Sequence, residues 1–232
     1  MHATGTITGL SSMATKQLLV DLSRSFEQSA AWKVEIESMG GVDAARLVRG
    51  GKAIDVIVLA SNVMEQLESE GWVVPGTRSD VARSGVAIAV RAGLARPAIA
   101  SEDDVKQAVL TGGKICYSTG PSGDYLKRLF ERWNIGAQIA DRTVEAKPGT
   151  PVGQLLARGE ADLGFQQLSE FQDIAGIDVV GPLPAEIQTI TAFTAGVSTR
   201  SAHPDGARAF VTYLISPETR AVKQKLGMEA AA

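Results

Sequence analysis

The sequence predicts an α/β fold, on three observations. Strand-like and helix-like segments alternate from the first residues onward. Within the segment Ile54 to Leu59, the residues after Asp55 form an unbroken apolar run, Val56-Ile57-Val58-Leu59, the pattern of a strand buried on both faces of a parallel sheet. After a polar connection from Gly71 to Ser84 that contains Pro75-Gly76, a second strand–helix series begins. A chain of 232 residues fits one large α/β domain or two small lobes sharing a hinge.

In order, Thr4 to Thr8 reads as a short strand ending in Gly9-Leu10-Ser11-Ser12. The helix that follows places Leu18, Leu19, Leu22 and Phe26 on one face, with Ser11 or Ser12 as its N-cap. Lys33 to Ser38 is the second strand, broken by Met39-Gly40-Gly41 before a helix over Val42 to Val48. Ser61-Asn62 caps a helix that runs to Glu70. Gly85 to Val90 opens the second series as another apolar strand. It continues with a helix at Asp103 to Leu110, a strand at Lys114 to Tyr117 and a helix at Ser122 to Trp133. A strand near Thr143, a helix at Val152 to Ala157 and strands at Asp162 to Phe165 and Asp178 to Val180 come next. The chain closes with a β-rich stretch, Ile190 to Val197, and helices at Pro204 to Ile215 and Pro217 to Leu226, with Gly227 as C-cap.

The composition narrows the function classes. A formal net charge of −3 supplies no general field for nucleic acid or anionic lipid, so local groups must hold any bound anion. The single cysteine, Cys116, excludes an intramolecular disulfide, and its apolar surroundings read as core. His2 and His203 stand apart from any cluster at metal-ligand spacing, so no metal site is expected. No apolar run is long enough for a membrane span. No phosphate loop, dinucleotide fingerprint or nucleophile elbow is present, and no cofactor is expected. The N-terminus lacks the basic start and apolar core of a secretion signal. The protein is therefore expected to be periplasmic if a signal peptide has been removed, and cytoplasmic otherwise.

Five segments, in this order and spacing, carry a family resemblance: Gly9-Leu10-Ser11-Ser12-Met13-Ala14, Asp55 to Ser61, Tyr117-Ser118-Thr119-Gly120-Pro121-Ser122-Gly123, Gly159 to Gln167, and Ser216-Pro217-Glu218. On them the chain resembles the type II periplasmic solute-binding proteins, nearest the molybdate-binding branch, which aconitate isomerase also resembles. The resemblance implies two Rossmann-like lobes joined by two crossover strands, near Arg83 to Val90 and Ala192 to Gly196. Lobe 1 would hold residues 1–83 and 194–232 and lobe 2 residues 84–193. It further implies a ligand held between the lobes by hinge closure and an ABC-transporter permease as partner.

The candidate site residues follow from the loops at strand ends. In a parallel sheet these loops share one edge, where helix N-termini offer unpaired N–H groups and the positive end of the helix dipole. Ser11, Ser12, Ser38, Gly40, Ser61, Ser118, Thr119 and Ser122 add hydroxyl donors or close backbone approach, which suits an oxyanion or carboxylate. Arg83, before Ser84-Gly85, is placed to clamp a carboxylate bidentately. Gln166, with Gln167 and Ser169, would face the ligand from the second lobe; Tyr117 would add a phenol and Lys147 to Thr150 a charge and a hydroxyl. Two functions are expected of such a site. One is capture of a small anion, an oxyanion or di- or tricarboxylate, for transport. The other is an isomerase that moves a proton within a tricarboxylate, for which Tyr117, Lys147 and Glu170 are the conceivable acid–base groups. A third and weaker expectation is a ligand-sensing domain, since effector domains of transcription factors share this fold but normally follow a DNA-binding helix pair, whereas this sequence opens on a strand.

Overall fold

A computed structural model describes residues 5–231, so Thr4 of the first expected strand and His2 lie outside the described residues. The chain divides into two compact units, Met1–Arg83 with Thr191–Ala232, and Ser84–Ile190. It leaves the first unit within one long strand and returns to it at the start of another.

Unit 1 begins with β1 (Thr6–Ser12), a 3-10 turn at Met13–Thr15, α1 (Lys16–Ser29), β2 (Lys33–Met39), α2 (Gly41–Arg49), β3 (Val56–Ala60) and α3 (Ser61–Ser69). The first residues of β4 (Ser79–Arg91) also belong to it. Unit 2 takes the rest of β4, then α4 (Glu102–Thr111), β5 (Ile115–Tyr117), α5 (Pro121–Arg132), α6 (Gly136–Ile139), β6 (Thr143–Glu145), α7 (Val152–Ala157), β7 (Leu163–Gln167), a 3-10 turn at Leu168–Glu170 and β8 (Ile177–Pro182). Unit 1 is completed by β9 (Ile190–Val197), α8 (Pro204–Leu214), a 3-10 turn at Pro217–Thr219, α9 (Arg220–Lys225) and β10 (Glu229–Ala230).

In unit 1, β1 lies between β2 and β3 and is parallel to both, while β9 runs antiparallel to β3. The apolar run in β3 has a direct cause. Val56 and Val58 point into a cluster with Leu18, Leu22 and Phe26 of α1 and Phe210 and Leu214 of α8. Ile57 and Leu59 point the other way, into a cluster with Ala44, Ala45 and Val48 of α2 and Met64 and Leu67 of α3. Both faces of the strand are therefore covered, and no position can be polar. Unit 2 repeats the arrangement. Val86, Ile88 and Val90 of β4 enter a cluster with α4 and α5, and Ala87 and Ala89 enter one with α7. There β5 is parallel to both β6 and β7, and β4 is antiparallel to β7 and β8.

Three expectations are corrected. The first strand does not stop at Thr8 but runs to Ser12, in register with β2 throughout. Gly9 is thus mid-strand. A Cβ there would stand 2.8 Å from the Val56 carbonyl oxygen and 2.6 Å from Ile36 Cδ1, so its absence serves packing. The connection read from Gly71 to Ser84 ends early, because β4 begins at Ser79. Val81 and Ala82 are fully buried, and Ala82 pairs with Ala230 of β10, a strand the sequence reading did not contain. The last helix starts as a 3-10 turn and is α-helical only from Arg220 to Lys225; Gly227 closes it with φ +66°.

Candidate functional site

In unit 1 the carboxyl edge of the parallel strands carries three helix starts. After β1, Ser12 holds the N-cap position of the 3-10 turn, but its hydroxyl caps no backbone N–H and instead lies 3.4 Å from the Thr15 hydroxyl. After β2, Gly40 holds the N-cap position of α2, with no side chain to offer. After β3, Ala60 holds that of α3. None of the three starts has a side-chain cap, so the first-turn donors there are not taken up by their own cap residues. Across the edge, Ser11 and Ser38 are paired residues of β1 and β2, with hydroxyls 2.7 Å apart. Ser11 is fully buried and Ser38 half-buried, so Ser38 is the outer member of the pair.

At the α3 corner, Ser61 is the first helical residue. Its hydroxyl bonds to that of Thr194 in β9 and, at 3.2 Å, to Oδ1 of Asp80 in β4. The Thr194 hydroxyl donates to the same oxygen at 2.6 Å. Among the described residues, no Lys or Arg pairs with Asp80, which is exposed. Arg83, three residues on, is also exposed, and among the described residues no hydrogen bond or ion pair engages its side chain.

In unit 2 the edge carries the starts of α5 and α7. The loop from β5 to α5 folds back so tightly that a Cβ on Gly123 would fall 1.6 Å from the Ser118 carbonyl oxygen; only glycine fits. That approach brings the Ser118 and Ser122 hydroxyls to 2.9 Å. Gly120 holds the N-cap position and Pro121 the first helical one, again without a side-chain cap. Thr119 is half-buried, and no hydrogen bond engages its side chain among the described residues. Pro151 precedes α7, whose first N–H, from Val152, donates to Oε1 of Gln166 at 2.9 Å. The amide of Gln166 donates in turn to Oε2 of Glu170 at 2.6 Å. Burial pushes the Glu170 carboxyl up to about 8, against the lowering effect of that hydrogen bond.

The chain from residue 7 to 229 matches the model of a family described as bacterial extracellular solute-binding protein. The chain belongs to that family. A relative, the aconitate isomerase of a Pseudomonas species, is 35% identical over 235 residues, covering 97% of this chain and 87% of that protein. The periplasmic molybdate-binding protein of Azotobacter vinelandii has a similar structure, with TM-score 0.78 and 22% identity over 97% of this chain and all of that one. So does the tungstate ABC transporter from Geobacter sulfurreducens, with TM-score 0.72 and 15% identity over 97% of this chain and 99% of that one. These two likenesses show the fold, which is that of the type II periplasmic binding proteins.

Within this solute-binding protein the expected residues are distributed unevenly. Ser11, Ser12, Ser38, Gly40 and Ser61 share the strand-end edge of unit 1; Ser118, Thr119, Ser122 and Gln166 share that of unit 2. Ser11, Ser12 and Ser61 do not cap helices through their side chains as the sequence reading expected, because their hydroxyls are bonded to other side chains or to nearby carbonyls. Gln166 is buried, its amide oxygen accepting from Val152 and its amide nitrogen donating to Glu170. Tyr117 packs edge-on to Phe130 in the α5-side core, with Lys127 over its ring. Burial raises its phenol pKa. Lys147 is exposed in a turn closed by the Thr150 N–H bonding to the Lys147 carbonyl. The sequence reading missed Asp80 and Thr194. Asp80 lay in the segment taken for a connection, and its partner Thr194 is 114 residues away in the chain.

Proposed function

We propose that this protein captures a small anion, an oxyanion or a di- or tricarboxylate, as the substrate-binding component of an ABC transporter acting outside the cytoplasmic membrane. The observation that carries the reading is the set of helix starts without side-chain caps along the carboxyl edges of both parallel sheets. The starts of α6, α8 and α9 also lack side-chain caps, so what sets the edge starts apart is their common position at the strand ends. Backbone donors at the positive ends of helices suit an anion without many formal charges, in keeping with the net charge of −3. In unit 1 we assign Ser38 and Gly40 to anion binding, with Arg83 as the cation for a carboxylate; in unit 2 we assign Thr119 and the Ser118–Ser122 pair.

Thermal unfolding of the purified protein with molybdate, tungstate, sulfate, phosphate, citrate, isocitrate and both aconitates tests this. A ligand at about a hundred times its dissociation constant stabilises the folded state by about 2.7 kcal/mol, a readily measured shift in Tm. No shift with any of the eight would overturn the proposal.

A second reading is favoured by the aconitate isomerase relative together with Glu170. A carboxyl group held largely protonated at neutral pH, and fixed by Gln166, is suited to giving a proton to a carbon acid intermediate. In this reading the protein transfers a proton within a tricarboxylate. Ultraviolet absorbance during incubation with trans-aconitate measures the conversion directly, and absence of turnover at micromolar protein would exclude it.

A further inference from the structure

The α3 corner of unit 1 differs in chemistry from the rest of the edge. The Thr194 hydroxyl spends its one proton on Asp80 Oδ1, and the Ser61 hydroxyl spends its own on Thr194 or on the same carboxylate oxygen. Neither hydroxyl therefore has a proton to give a ligand. What the corner presents is lone pairs and a carboxylate whose Oδ2 has no partner among the described residues. Thr194 is 2% exposed and locked in β9, so the network is held from the interior, while Asp80 itself is exposed.

We propose that Asp80 is a specificity determinant that requires the ligand to bring a hydrogen-bond donor or an acidic C–H to the α3 corner. This rests on the anion-binding reading above and narrows it. The ligand class becomes organic acids with a hydroxyl or an activated methylene beside the carboxylate. Fully deprotonated tetrahedral oxyanions such as molybdate and sulfate are rejected, because they carry only acceptors and would face a like charge. A carboxylate that faces the ligand with no proton to give favours ligands that bring a donor over those that bring only acceptors. Helix starts elsewhere along the edge hold the carboxylates, and this corner reads what lies between them.

The test is isothermal titration of the wild type and Asp80→Asn with molybdate, sulfate, citrate and isocitrate. The amide keeps an oxygen for the Thr194 hydroxyl and replaces the other carboxylate oxygen with a donor. The wild type is expected to bind a hydroxytricarboxylate at least about tenfold more tightly than either oxyanion, and Asp80→Asn to reduce that ratio about tenfold or more. Asp80→Ser, which removes the charge without adding an amide, is expected to shift the ratio the same way and serves should the amide variant not fold. An unchanged ratio in a folded, binding-competent variant would overturn the role of Asp80 and leave the anion-binding reading standing. A wild type that prefers molybdate or sulfate would do the same. Silence of the wild type toward all four, and toward both aconitates, would remove both.

Discussion

Asp55 receives four hydrogen bonds on one carboxylate: from the Thr8 N–H at 2.8 Å, the Thr8 hydroxyl at 3.0 Å, the Ser201 hydroxyl at 2.7 Å and the His203 N–H at 2.8 Å. Burial pushes its pKa up, but the bonds from Thr8, Ser201 and His203 outweigh that and hold it below the ordinary aspartate value. The carboxylate ties β1 to the segment between β9 and α8, where His203 also packs on Trp32. Asp55→Asn turns an amide donor toward groups that already donate and is expected to cost roughly 2–4 kcal/mol in chemical denaturation. Because the folded pKa is depressed, the stabilisation is full above the unfolded value and is lost as pH falls through the folded one. The variant should therefore lose the Asp55 share of the acid limb, with Glu27 and other depressed carboxylates supplying the remainder. In the sequence Asp55 reads as the polar residue in front of an apolar strand. Nothing local marks it as a hub, since its donors come from residues 8, 201 and 203.

At the scale of elements, local signals were clear where one pattern explains a whole segment. The period of Leu18, Leu19, Leu22 and Phe26 placed α1 because those residues all face one core. The bounds of α7 and β9 are those expected, Val152–Ala157 and Ile190–Val197. Elements defined by distant pairing were not legible. β4 has β9 and β10, both from the far end of the chain, as strand partners, and the two residues of β10 that pair with Ala82 and Arg83 carry no periodicity to detect. The same limit applies to the site. Loops rich in Ser and Gly could be located, but the direction of each hydroxyl is set by partners across strands, as with Ser11 and Ser38. The β5–α5 loop yields the prediction at this scale. Gly123→Ala places a carbon on the Ser118 carbonyl, so the loop must move. The expected result is a loss of at least about 2 kcal/mol, the range for strained or overpacked substitutions. Affinity for any ligand found by thermal shift should fall at least about tenfold, in a titration of the refolded variant.

Across the whole molecule, two titratable groups oppose one another, the half-buried Glu170 and the buried Lys223. Glu170 in unit 2 is held up to about 8, so between its unfolded value and pH 8 the unfolded chain binds fewer protons than the folded one, and stability falls as pH rises. Lys223 in unit 1 is 2% exposed, donates to the Leu214 carbonyl at 2.7 Å, and is pushed by burial down to about 8. From there to its unfolded value the unfolded chain binds more protons, and stability rises with pH. The expected profile therefore passes through a minimum near pH 8, and the rise beyond it is cut short above the ordinary thiol value, where the raised Cys116 pulls stability down again. Tm measured from pH 5 to 10 checks it: Glu170→Gln should flatten the falling limb and Lys223→Met the rising one. The core of unit 2 contains one further group of practical weight. Cys116, the only thiol in the chain, is fully buried, and its pKa is raised to about 12 by burial and by the charge of Asp162. A maleimide or disulfide reagent has nothing to attack until that core opens. Labelling speed therefore becomes a clock for the opening of unit 2 alone, and the folded protein offers a silent background onto which a single engineered cysteine and its dye can be placed.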